Sequence, residues 1–231
     1  MLFRSLSHAL ARSGVELTLS GRDSERLNAL QGELVTLGAS VRTQIADISR
    51  APQVQKLVAF AAENPANPEN AGLDIVVNAA GVGAIRPIES FTPEEITAVL
   101  AANLYGAMLL SQAAIAAMTP RKSGHLLHVV GILGKAPMPN ASVYCASKYG
   151  LSGFLQALRA EVSRKHNIKI TALYLGGVDT PFYDNPAIEM RVQRDKMLSA
   201  ADAANAIVYA LSQPSHLVMG ELTLQPESHQ L

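Results

Sequence analysis

Tyr144 and Lys148 lie four residues apart, a spacing that puts them on one face of a helix, one turn apart. An ammonium beside a phenol favours the phenolate, which makes the phenol usable as an acid or base near neutral pH. An ordinary exposed Tyr/Lys pair has the same spacing, and the chain has six Tyr, so the pair gains meaning only from its surroundings. Those surroundings are the stretch from His128 to Leu151, HVVGILGKAPMPNASVYCASKYGL. An apolar strand breaks at Gly131 and Gly134, a Pro-bearing loop follows, and a helix begins near Ser142.

The elements that must position this pair alternate along the chain. Leu2, Leu6, Ala9 and Leu10 recur at helical spacing, with Gly14 as the stop. Val15, Leu17 and Leu19 alternate with polar residues as a strand does. Ser24 is expected to cap a helix to about Leu37, ended by Gly38, and Val41 to Ile45 reads as a short strand before Asp47. Ser49 is expected to cap a helix through Ala61, and 64–72 is a Pro/Asn-rich loop. Leu73 to Asn78, LDIVVN, is a nearly continuous apolar run, the pattern of a parallel strand buried on both faces. Thr92, Pro93 and Glu95 form a strong helix start, and that helix is expected to reach Met118. Leu126 to Val130 and Ile168 to Leu175 read as buried strands on either side of a helix from Ser142 to about Lys165. Ser199 caps a helix to Leu211, and Glu221 to Leu224 is a last short strand. Strands alternating with helices predict an α/β fold, a parallel sheet covered on both faces, with ligands at the carboxyl ends of the strands. With no internal repeat and no linker, residues 1–231 read as a single domain.

The 231 residues are 48% hydrophobic and 16% charged, with zero net charge. That composition suits a buried core and excludes disorder. The absence of a basic run argues against a nucleic-acid partner. No apolar run is expected to span a membrane, and the first residues are interrupted by Arg4, Ser5, Ser7 and His8, unlike a signal peptide. Cys145 is the one cysteine, so no internal disulfide forms, and a cytoplasmic location is expected. The six His show no metal-ligand spacing. His125 and His128, three apart on a strand, should face opposite sides.

Several candidate residues fall at the ends of predicted strands: Arg22, Asp47, NAAG at 78–81, Gly131, and Gly176 to Thr180. Each has a bland alternative, a solvated turn residue or a helix start. Together they mark one edge of the sheet.

From about residue 4 onward, the chain resembles the short-chain dehydrogenase/reductase family. The residues that carry this are NAAG at 78–81, ANLYG at 102–106, YCASK at 144–148 and LGGVDTP at 175–181, in matching order and spacing. The tail ELTLQPESHQ at 221–230 looks like a branch that includes NADP-dependent 3-hydroxy-acid dehydrogenases. The resemblance implies a Rossmann-like, doubly wound sheet and hydride transfer between a nicotinamide cofactor and a small alcohol/carbonyl pair. It makes Tyr144 the general acid/base, Lys148 the group that lowers its pKa and binds the nicotinamide ribose, and Asn103 the holder of a relay water. Asp47 and Asn78 would border the adenine site, and Ala80 and Gly81 would also bind the cofactor. Val178, by its backbone, and Thr180 would hold the carboxamide. An Arg at position 22, where an acid would favour NAD, suits the 2′-phosphate of NADP. Gly131, Phe182 and Tyr183 would face substrate, under a lid at 181–198. Helices 92–118 and 142–165 would form a homodimer or homotetramer interface.

Two departures stand against these matches. The family's Gly-rich turn, roughly T-G-x-x-x-G-x-G, has no counterpart, because Met1-Leu2-Phe3-Arg4 stands where it would end. The strand before that turn is central in the family's sheet, so the first strand is expected to be missing. A start further upstream, a sheet re-paired with help from another subunit, or lost dinucleotide binding would each account for this. In addition, the family's catalytic Ser lies about thirteen residues before the Tyr, which lands on Gly131. Both departures motivate an alternative, a non-catalytic binding or scaffold protein, or a structural subunit that pairs with a complete paralogue.

Overall fold

In the computed structural model, which describes residues 2–63, 69 and 71–228, every paired strand runs parallel to its neighbour and every connection between strands carries a helix. The elements are α1 Leu2–Ala11, β1 Leu17–Gly21, α2 Ser24–Thr36, β2 Val41–Ile45, α3 Ala51–Ala62, β3 Ile75–Asn78, α4 Pro93–Leu100, α5 Gly106–Met118, β4 Gly124–Val129, α6 Ser142–His166, β5 Ile168–Leu175, α7 Ala200–Leu211 and β6 Glu221–Leu224. This is the expected Rossmann-like arrangement. Leu126, Val130, Ile170 and Tyr174 meet α3, α5 and α6 on one face of the sheet. Leu127, Leu173 and Leu175 meet α1 and α7 on the other. The period-2 alternation of β4 therefore feeds two cores, and it also sends His125 and His128 to opposite faces.

The strands form two sheets, β1–β2 and β3–β4–β5–β6. Among the described residues, β1 and β3 each pair on one side only, so the gap is not closed by re-pairing within this chain. The LDIVVN run is corrected accordingly. The strand covers only Ile75–Asn78, Ile75 is 41% exposed, and Val76 and Val77 are half-buried. A strand with one open edge lacks the cover that its composition anticipates.

Local chemistry moves several other boundaries. Asp23, not Ser24, caps α2, its carboxylate accepting from the Arg26 N–H at 3.1 Å. Ser49 does not cap α3, because its N–H and hydroxyl both donate to Asp47 Oδ1, at 2.9 and 2.7 Å. The expected capping box at Thr92 and Glu95 is present, and a second joins Ser199 to Asp202. The helix after Thr92 is interrupted by a π-turn at Ala101–Tyr105, between α4 and α5. Gly38 ends α2 at φ +82°, a conformation open to glycine at little cost. Most of the predicted loop at 64–72 lies outside the described residues.

Against the sequence expectation, one helical run, Pro93–Arg121, is long and apolar enough to cross a membrane by length and composition. In this fold it is a core helix, with Ala107, Leu110, Ala114 and Met118 packed against β4 and α6.

The open edge has a measurable consequence. In hydrogen exchange, alternate amides of β3 that point away from β4 should exchange far faster than those of Leu126 to His128, which sit between two strands. Equal protection of both sets would contradict the split sheet.

Candidate active site

Three elements meet where the sheet ends: the turn after β3, the π-turn, and the start of α6. Asn103 joins them. It lies in the π-turn and is 1% exposed. Its Oδ1 accepts from the Val82 N–H at 2.7 Å, and its Nδ2 donates to Val82 O and to Ser147 Oγ, both at 3.0 Å. Ser147 in turn donates to the carbonyl of Tyr144 at 2.7 Å. π-turns concentrate at functional sites, and this one carries Asn103. Both amide hydrogens are committed and Oδ1 already accepts one bond, which leaves the second Oδ1 lone pair and the main chain as places for the expected water.

Lys148 is buried. Its ammonium lies 5.6 Å from the Tyr144 ring centroid and donates to Val129 O at 3.3 Å. Burial pulls its pKa down to about 8. The Tyr144 phenol is pushed well above its ordinary value, first by burial and then by its neighbours Tyr183 and Cys145. The phenol is thus raised where a lowering by Lys148 is expected, because burial disfavours the phenolate. Tyr144 stands as a protonated donor. Gly81 faces both groups: a Cβ there would come 3.0 Å from Asn103 Oδ1 and 3.6 Å from Lys148 Nζ. The bare backbone leaves a cradle beside the lysine.

The remaining candidates sit around this centre. Asn78 is buried, and its Oδ1 accepts from the Ala80 N–H at 3.1 Å, which braces the 78–81 turn. Asp47 is held below its usual range by the two Ser49 bonds, with smaller contributions from Arg22 and Arg50. Arg22 is exposed at the end of β1, within electrostatic reach of Asp47. Val178 is buried and forms a bridge to Leu198, and the Thr180 hydroxyl donates to Val178 O at 3.3 Å. Phe182 packs 6.0 Å from Tyr144, ring centre to ring centre, and meets Tyr183 edge-on at 5.1 Å. The expected lid is fastened, with Ile188 bridged to Ile85 and Arg194 paired with Asp179 and Asp184.

Gly131 has φ +90° and ψ 157°, a region that non-glycine residues enter only under strain. A Cβ would have room, 3.9 Å from Leu175 O and 4.0 Å from Tyr144 Oη. The backbone conformation, not a lack of space, therefore matches glycine here.

His128 is the residue that the sequence reading missed. It is fully buried behind the turn, between Asn78 Nδ2 at 3.2 Å and Ser111 Oγ at 3.1 Å. Ser111 donates to Ala107 O at 2.8 Å, so its oxygen accepts from His128 Nε2–H, and His128 Nδ1 accepts from Asn78. A polar residue inside the apolar run LLHVV was the available signal.

The pattern of the family described as short chain dehydrogenase matches residues 3–189. A sepiapterin reductase of Chlorobaculum tepidum is 32% identical over 212 residues, 92% of this chain and 83% of that protein. An alcohol dehydrogenase from Thermococcus sibiricus, solved with 5-hydroxy-NADP, superposes with a TM-score of 0.86 at 22% identity, covering 100% of this chain and 94% of that one. Levodione reductase gives 0.83 at 26% identity, covering 97% and 92%.

Burial sets a pH dependence. His128 is lowered from 6.5 to about 4 by burial and by Lys148, and His125 is lowered likewise by burial and Lys169. In each case the unfolded chain binds the proton first. The stabilisation is complete above about pH 6.5 and is lost as pH falls towards 4, roughly 3 kcal/mol for the fully buried His128. Urea midpoints should fall across that window, and His128→Asn should flatten the slope. An unchanged slope in the variant would contradict the buried, neutral imidazole.

Proposed function

The chain belongs to the short-chain dehydrogenase family and is an oxidoreductase of that type, and from that premise we propose that it interconverts a small alcohol and its carbonyl with NADP, Tyr144 acting as general acid/base. The observation that carries this reading is that the Lys148 ammonium lies 5.6 Å from the Tyr144 ring centroid and, together with Asn103, faces Gly81. In the direction of reduction, the protonated Tyr144 hydroxyl gives its proton to the carbonyl oxygen. Lys148, held against Val129 O, offers its ammonium to the ribose and steadies the phenolate that remains. Asn103 fixes the start of α6 through Ser147, and its second Oδ1 lone pair or its main chain is the candidate holder of a relay water.

Residues at both ends would suit the cofactor. Arg22 would take the 2′-phosphate, with Asp47 and Asn78 at the adenine site and Ala80 and Gly81 along the cofactor. Val178 and Thr180 would take the carboxamide. When bound, the dinucleotide supplies or accepts the hydride. NADP rather than NAD is supported by the exposed Arg22 and by the NADP derivative named for the Thermococcus sibiricus structure.

The residues form one catalytic domain, with 181–198 over the substrate. A homodimer or homotetramer through helices 92–118 and 142–165 is supported by Tyr105 and Tyr149, which stay exposed there. A cytoplasmic location is supported by the single, buried cysteine, Cys145. The alternative, a binding or scaffold protein on the same fold, is favoured by Gly131 and by the split sheet.

Kinetics separate the two readings. The native chain should oxidise NADPH with small aldehydes or diketones, and Tyr144→Phe should lower kcat by about 10²-fold or more. Arg22→Ala should weaken NADPH by about 10- to 100-fold and NADH little. Absence of turnover over a broad carbonyl panel would leave the scaffold reading. By light scattering the chain should exceed monomer mass; a monomer would contradict the helix interface.

A further inference from the structure

Gly131 leaves an open question of chemistry. A carbonyl oxygen that gains negative charge is best held by two donors, and losing one such donor costs about 10²- to 10³-fold in kcat. Position 131 offers no hydroxyl, and its φ of +90° disfavours any side chain.

The nearby hydroxyls can be taken in turn. Ser142 is exposed at the start of α6. Ser147 is spent between Asn103 and the Tyr144 carbonyl. Thr180 donates to Val178 O. Tyr183 remains. It lies in the short turn Pro181–Asp184 that follows β5. Phe182 packs against both Tyr144 and Tyr183, with centroids 6.0 and 5.1 Å away. The Tyr183 hydroxyl lies 3.5 Å from where a Cβ of Gly177 would stand. Two residues earlier, the Leu175 carbonyl lies 3.9 Å from the corresponding point at Gly131, which is itself 4.0 Å from the Tyr144 hydroxyl. The two phenols thus flank one end of β5. Among the described residues neither hydroxyl has a protein hydrogen-bond partner.

We propose that Tyr183 is a further catalytic residue, whose hydroxyl supplies the hydrogen bond to the carbonyl oxygen that Gly131 cannot. The inference rests on the oxidoreductase reading above. Both phenols are raised by burial, and Tyr183 further raises Tyr144, so both are donors at neutral pH. Their roles differ. With the cofactor bound, its hydride would form the new C–H bond and the π electrons of the C=O bond would move to oxygen. That oxygen takes the proton of Tyr144, while Tyr183 keeps its own proton and shares it as a hydrogen bond. The products are the alcohol and the oxidised nicotinamide. The loop that carries Tyr183 is fixed for this task. Asn185 Nδ2 donates to Gly83 O at 3.0 Å, Ile188 bridges Ile85, and Arg194 pairs with Asp179 and Asp184.

The test compares the native chain, Tyr183→Phe and Tyr144→Phe, with NADPH and a panel of small aldehydes and 1,2-diketones. NADPH binding is followed separately by its fluorescence. Tyr183→Phe keeps the ring against Phe182 and should lower kcat by about 10²-fold, leaving KM and NADPH affinity within a few-fold. Phenolate absorbance against pH, without ligands, should show Tyr144 ionising at lower pH in this variant. Native kcat in Tyr183→Phe, with Tyr144→Phe inactive, would overturn the role of Tyr183 alone. A loss confined to KM would make Tyr183 a packing residue and also overturn it. A native chain that neither binds NADPH nor turns over would overturn the oxidoreductase reading and this inference with it.

Discussion

The amide of Asn103 is the joint on which the site depends. One side chain, inserted by a π-turn, clamps both polar atoms of Val82 and reaches Ser147, which holds the Tyr144 carbonyl. All three elements that carry candidate chemistry meet in that chain of bonds. The bonds are buried, where each satisfied bond contributes about 1 kcal/mol and each orphaned partner costs about 1–3 kcal/mol. Cutting the amide would orphan several groups at once, so the geometry is held cooperatively rather than by any single contact.

This local fastening matters because the sheet beneath it is divided. In an unbroken parallel sheet, strand pairing alone would align the ends of β1, β2 and β3. Here β1 and β2 form their own ribbon, with a separate core of Leu19, Leu27, Leu30, Leu34 and Val41. The turn after β3 is braced from behind instead, by Asn78, His128 and Ser111. The nicotinamide half of the proposed site, built on the four-stranded sheet, is the better supported half. The adenosine half depends on Arg22 and Asp47, which sit on the two-stranded ribbon.

Much of this was legible in the residues. Thr92–Glu95 and Gly38 announce a helix start and a helix end through chemistry that is local to a few residues, and both stand where expected. LDIVVN was misjudged because apolar content reports what a strand prefers, whereas pairing decides what it receives. Ser24 was misjudged because Asp23 takes the Arg26 N–H, and Ser49 because its own N–H and hydroxyl are given to Asp47. Tyr144 and Lys148 were singled out by spacing, but the direction of the Tyr144 shift was not. It depends on burial, which a one-turn spacing does not encode. His128 escaped because its partners, Asn78 and Ser111, are 50 and 17 residues away.

The most direct measurement is a titration of the native chain with NADPH and NADH, followed by cofactor fluorescence. Saturable binding of NADPH, tighter than that of NADH, is the predicted result. It would mean that strand ends on two separate sheets still compose one dinucleotide site around Lys148. Failure to bind either cofactor, by a chain that is folded by circular dichroism, would contradict the oxidoreductase reading and favour a scaffold that keeps the fold without the chemistry.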